Sequence, residues 1–100
     1  FFKNPILEIN KVDELKNNFP DIKLFKEDET HMKVPAGWLI ENVGLKGKSF
    51  GNISVYSKNA MILVNNCEAS FKDLVEARDE IIKTVKDKFG ITLEQEPEIL

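Results

Sequence analysis

Three stretches hold residues whose types and spacing could do chemistry. LEQEPEIL (Leu93–Leu100) sets Glu94, Glu96 and Glu98 at period two, so an extended strand points all three carboxylates to one face. Such a face either looks at water or places one carboxylate in a pocket, where burial or a hydrogen bond shifts its pKa for proton handling or enolate stabilisation. GLKGKSFGN (Gly44–Asn52) combines Lys46 and Lys48 with three glycines. It reads as a glycine turn with solvated lysines or as a loop whose amides and ammonium groups approach a phosphate. It is not a Walker motif, because the spacing is wrong and no helix follows. In FFKNP (Phe1–Pro5), the residue before a proline is biased to extended or turn conformations, so the Asn4 amide presents a donor and an acceptor in a fixed direction. Cys67 and His31 are single residues of their kinds. Together they are too few for a metal site or an activated thiol, and an internal disulfide is excluded.

The clearest of the elements that must position these residues is a helix over Phe71–Phe89. Phe71, Leu74, Val75, Ile81, Ile82, Val85 and Phe89 recur at helical spacing, with charged residues opposite. Ser70 and Asp73 form a capping-box start, and Gly90 is a stop signal. ISVY (Ile53–Tyr56) and AMILV (Ala60–Val64) read as a hairpin around Ser57, Lys58 and Asn59, the second strand apolar on both faces and hence inside. ITLE (Ile91–Glu94) reads as a further strand, with Pro97 at its end or edge. Upstream, Asn10–Asn18 predicts a short helix capped by Asn10 and closed by Phe19 and Pro20, and Met32–Val34 a short strand. AGWLIENVG predicts a two-turn helix with Ala36, Leu39, Ile40 and Val43 on one face and Gly44 as its stop. Trp38 reads as core. The expected fold is α+β: one domain over residues 1–100, with a sheet of mostly antiparallel strands and helices on one face.

Composition bounds what such a domain does. Of 100 residues, 42% are hydrophobic and 31% charged, the profile of an ordinary soluble domain with one modest core. A net charge of −3 argues against a domain built to grip nucleic acid. No apolar run approaches the roughly 20 residues that span a bilayer, and no export signal is evident. The lone cysteine fits a reducing cytoplasm.

FFKNP, AGWLIENVGLKG, NISVYSKNAMILVN and FGITLEQE, in this order and at these separations, resemble the C-terminal domain of the UDP-N-acetylenolpyruvoylglucosamine reductases, the MurB family, from residue 1 to about residue 96. The long stretch between Pro5 and Ala36 is similar to the family branch with the extended form of this domain. The resemblance implies a bacterial, cytoplasmic enzyme of cell-wall synthesis that binds FAD in a separate N-terminal domain and reduces it with NADPH. The hydride then passes to UDP-N-acetylglucosamine enolpyruvate, giving UDP-N-acetylmuramate. It implies substrate contacts for Asn4, Lys33, Lys46 and Asn59, and a catalytic role for Glu96 in stabilising the enol-like intermediate. Asn59 stands where relatives have a longer glutamine or a histidine, and Pro97 where they have a valine. The family's general-acid serine comes immediately before the two phenylalanines, outside this chain. The chain by itself is expected to bind no cofactor and to be inactive. A reading from another class is a free-standing α+β interaction module, which the sequence upstream of Phe1 in the gene discriminates. Nucleic-acid binding through Lys46, Lys48 and the helix lysines is a distant third.

Overall fold

The computed structural model describes residues 1–60, 62–65 and 69–96. Its element order is β1 (Ile6–Glu8), α1 (Ile9–Asn18), β2 (Phe25–Lys26), β3 (His31–Lys33), α2 (Ala36–Asn42), β4 (Ser49–Phe50), β5 (Ile53–Val55), β6 (Leu63–Asn65) and α3 (Phe71–Phe89). The expected α+β class holds, with antiparallel strands divided over two three-stranded sheets, β1-β3-β2 and β4-β5-β6. One hydrophobic cluster joins them, with Val34, Leu39, Ile40, Ile81 and Val85 fully buried.

Helix α3 forms where its periodicity predicts. Ser70 Oγ accepts from the Asp73 amide at 3.1 Å, Asp73 Oδ2 accepts from the Ser70 amide at 2.9 Å, and Gly90 follows with φ +71°. Asp73's carboxyl is held below its ordinary value, above all by that Ser70 backbone N–H. The buried stripe is Ala77, Ile81, Val85 and Phe89. Phe71 departs from the expected stripe: it stands in the first turn ahead of these residues and is 80% exposed.

Helix α2 matches its expected span and buries Ala36, Leu39 and Ile40. Its seven residues are too few to hold a helix unaided; Gly44 stops it locally, with Gly44 N–H donating to the Glu41 carbonyl at 3.0 Å and Leu45 N–H to the Ile40 carbonyl at 3.3 Å, and distant side chains reach both ends. Asn4 Oδ1 accepts from the Ala36 amide at 2.9 Å, and Lys88 Nζ donates to the Asn42 carbonyl at 2.8 Å. Trp38 packs against Phe89, with ring centroids 5.7 Å apart, and Phe19 meets the same ring at 4.5 Å.

Three expectations need correction. ITLE is not a ladder strand: Ile91 and Leu93 are buried, and next to the segment there is an isolated bridge, Phe2 with Gln95, with Lys3 N–H donating to the Glu94 carbonyl, so it pairs as a short irregular segment among the described residues. The second hairpin strand begins at Leu63 rather than Ala60. Val55 pairs with Leu63, the intervening loop is closed by Tyr56 N–H to Ile62 O at 2.9 Å, and Ala60 enters the core from that loop. Strand β6 is an edge strand, so Ile62 just before it is 46% exposed, and Leu63 and Val64 are half-buried rather than inside. Helix α1 begins at Ile9 directly out of β1, with Glu8 at its N-cap. Asn10 Oδ1 accepts instead from its neighbour, the Lys11 amide. Pro97 lies outside the described residues.

Candidate functional site

The chain's first and last described segments run side by side. Lys3 N–H donates to the Glu94 carbonyl at 2.7 Å, and Glu96 N–H donates to the Phe1 carbonyl at 2.9 Å. The Phe2–Gln95 bridge lies between them. This register sets Phe1 opposite Glu96 and Lys3 opposite Glu94, and opposite residues share a face. Phe2 is buried, while Glu94 and Glu96 are exposed. The period-two spacing of these two glutamates thus yields one solvent-facing carboxylate row, with Lys3 Nζ 3.9 Å from Glu94 Oε2. Glu98 and Cys67 lie outside the described residues.

Arg78 of α3 steadies this row. Its Nη1 donates to Gln95 Oε1 at 2.9 Å and its Nε to Asp79 Oδ1 at 3.1 Å, so the residue before Glu96 is tied to the helix. Sequence reasoning passed over Arg78. The available signal was a cation directly beside the buried helix stripe, at the residue after Ala77.

Asn4 lies just beyond the paired segment. From there the chain runs antiparallel to His31–Ala36: Ile6 pairs with Lys33, Val34 N–H donates to the Pro5 carbonyl at 2.9 Å, and Ala36 N–H donates to Asn4 Oδ1. Lys33 sits in the central strand of its sheet with Nζ 3.3 Å from Glu27 Oε2. It is flanked in register by Ile6 and Phe25, which are 50% and 58% exposed. A cation between two exposed apolar side chains is a surface that suits an organic anion. Neither Ile6 nor Phe25 stood out in the sequence, because strands of two or three residues carry little periodic signal.

Lys46 and Asn59 belong to the other end of α2, about 10 Å along its axis from Asn4. Gly44 and Gly47, with φ of +79° and +81°, turn the chain after α2, conformations that favour glycine. Lys46 Nζ lies 3.4 Å from Glu41 Oε1. A Cβ at Gly47 would meet the Ser57 Cβ at 3.6 Å, so the Lys46 loop rests on the loop carrying Asn59. The glycine turn leads into β4, as its failure to match a phosphate-binding helix motif predicts. The five candidates therefore form two groups: Asn4, Lys33 and Glu96 are joined by backbone pairing, and Lys46 and Asn59 by loop contact.

A groove of about 480 Å³ runs beside the first group, lined in part by Lys3, Asn4, Lys11, Lys86 and Glu94. Three lysines against one glutamate make it locally basic in an acidic chain. His31 is engaged elsewhere, with Nδ1 2.7 Å from Thr30 Oγ1 and 3.1 Å from Asp28 Oδ1. The Thr30 backbone N–H and the His31 side chain lower the Asp28 pKa. Among the described residues no cluster of three His, Cys, Asp or Glu is arranged to hold a metal ion. No helix there is long and apolar enough to cross a membrane.

Comparison with known proteins matches residues 1–100 to the family described as UDP-N-acetylenolpyruvoylglucosamine reductase, C-terminal domain. Over 100 residues and the whole of this chain, it is 42% identical to a UDP-N-acetylenolpyruvoylglucosamine reductase of Flavobacterium johnsoniae. Reductases of the same name from Shewanella sediminis and Alcanivorax borkumensis are 41% and 39% identical over the whole chain. The chain spans 28–30% of the length of these relatives. The pairing of the FFKNP and LEQE segments and the match over every residue lead to one conclusion: this chain belongs to the family of UDP-N-acetylenolpyruvoylglucosamine reductase C-terminal domains.

Proposed function

We propose that residues 1–100 form the substrate-closing C-terminal domain of a longer bacterial, cytoplasmic flavoenzyme of peptidoglycan synthesis. The enzyme reduces UDP-N-acetylglucosamine enolpyruvate to UDP-N-acetylmuramate with NADPH and FAD. The observation that carries the reading is the pairing of Phe1–Lys3 with Glu94–Glu96. On this reading the family's general-acid serine is joined directly to Phe1, which stands opposite Glu96. A proton donor and a carboxylate then flank one reacting carbon skeleton.

On this reading the flavin is held by the N-terminal part of the enzyme, as the family resemblance implies. The glycine loop Gly44–Gly51 leads to a strand rather than to a helix N-terminus, which is consistent with that assignment of FAD and NADPH. When bound there, the flavin supplies the hydride. The groups on this chain act on the substrate. Glu96 stands by the enol-like intermediate, Asn4 and Lys33 hold the neighbouring anionic portion, and Lys46 with Asn59 meets the UDP end. Two groups separated by the length of α2 suit an extended, polyanionic UDP-sugar. The chain alone is inactive on this account, since neither the hydride source nor the serine belongs to it.

The test is Glu96→Gln in the intact enzyme. Removing a group that matters chiefly in the transition state lowers kcat by on the order of 10²-fold or more and leaves KM within a few fold. Turnover equal to the parent's would refute the assignment.

A further inference from the structure

Beyond Leu93 none of the described residues is fully buried: Glu94 and Glu96 are exposed and Gln95 is half-buried. Among the described residues, the pairing of this segment with Phe1–Lys3 amounts to one isolated bridge flanked by two backbone hydrogen bonds. A strand pair that short does not hold by itself. In extended backbone successive side chains take opposite faces, so whatever fixes Gln95 also fixes the directions of Glu94 and Glu96. Arg78 is what fixes Gln95. Its Nη1 donates to Gln95 Oε1 at 2.9 Å from 17 positions away; a guanidinium only donates, so the amide oxygen is the atom turned to α3. The Nε of the same group donates to Asp79 Oδ1 at 3.1 Å, and two bonds from one rigid plane fix its orientation. Arg78 follows Ala77 of the buried stripe, on a helix capped at both ends, so the hold starts from a rigid element.

We propose that Arg78 is a positioning residue for Glu96: braced by Asp79, it holds Gln95 towards α3 and so keeps the Glu96 carboxylate turned to the face where the substrate is reduced. The proposal rests on the reductase reading above and adds to it a residue that touches no substrate. Glu96 N–H is bonded to the Phe1 carbonyl, so the same hold fixes Glu96 against the first residue of the chain. A shift of about 1 Å in a group that acts in the transition state lowers turnover far more than affinity.

In the intact enzyme, Arg78→Met keeps the apolar stem and removes the donors, and Gln95→Leu removes the acceptor without touching a charge. Each should lower kcat about tenfold and leave KM within about twofold, and the double variant should fall no further than either single one. In the Glu96→Gln background, Arg78→Met should cost no additional kcat, since the group it positions is gone. Amide exchange at Glu96 should quicken in both single variants while the interior of α3 keeps the parent's protection. Loss of α3 protection along with kcat makes Arg78 a purely structural residue and overturns the proposal, as does a full further loss of kcat in the Glu96→Gln background. An intact parent that does not reduce UDP-N-acetylenolpyruvoylglucosamine overturns the reductase reading and the positioning role with it. A parent that does reduce it, with Arg78→Met and Gln95→Leu turning over at the parent's rate, overturns the role of Arg78 alone.

Discussion

Helices α2 and α3 pack against each other; both stop at a glycine of positive φ, but their N-terminal ends are closed by opposite means. Each end of α3 is finished by residues within or next to it, Ser70 with Asp73 at the start and Gly90 at the stop. The start of α2 is closed at a distance, by Asn4, whereas its end stops locally at Gly44, with Leu45 N–H donating to the Ile40 carbonyl at 3.3 Å, and takes a further donor from Lys88 of α3. The difference follows from length. Nineteen residues give α3 enough turns to offset its nucleation cost, whereas seven leave α2 dependent on what it touches. The short helix is also the one that separates the two groups of candidate site residues.

Four substitutions probe this contrast, in order of expected effect. Leu39→Ala removes a fully buried side chain of α2 from the shared core. It should cost about 2–5 kcal/mol in urea unfolding and loosen α2 amides before those of α3 in hydrogen exchange. Simultaneous loosening of both helices would make them one unit and break the contrast. Gly90→Ala meets no atom within 4 Å, yet it places a side chain at φ +71°. The expected loss is about 1 kcal/mol, confined to the last turn of α3. Lys88→Met keeps the apolar stem and removes the donor to Asn42; about 0.5 kcal/mol should go, read as faster exchange at the C-terminal end of α2.

The smallest effect is one of pH. The Asp73 carboxyl titrates lower in the folded chain than its ordinary value of 3.8, chiefly because of the Ser70 backbone N–H. Its contribution is therefore present in full above about pH 4 and disappears as the pH falls through the depressed folded value. Asp73→Asn should flatten the acid limb of the stability curve there and leave the ends of α2 unchanged. A mutant curve parallel to the parent's down to about pH 2 would remove Asp73 from the account.

Much of α3 was legible because a capping box, a 3.6-residue period and a terminal glycine are short-range patterns. The same period misled at Phe71, since spacing does not say where the neighbouring surface ends. ITLE had strand composition, yet became an irregular segment, because a ladder needs a partner strand and among the described residues its pairing is limited to the short Phe1–Lys3 stretch. At the candidate site, the common face of Glu94 and Glu96 followed from spacing, and Asn4, Lys33, Lys46, Asn59 and Glu96 came from the family resemblance. Arg78 escaped because its value lies in reaching Gln95, 17 residues away. Exposed Phe25 beside Lys33 escaped because two-residue strands have no detectable period.

By itself, the sequence determined the long helix with its caps, the span of α2, the α+β class and the family, all carried by local periodicity or ordered motifs. Tertiary structure alone decided that the FFKNP and LEQE segments pair, that one helix reaches the end of another, and that the Asn4 oxygen is already occupied. These are contacts between residues 32 to 95 positions apart in sequence. Their cost is loop closure and their return is burial shared by the whole core, and no local window of residues contains either quantity.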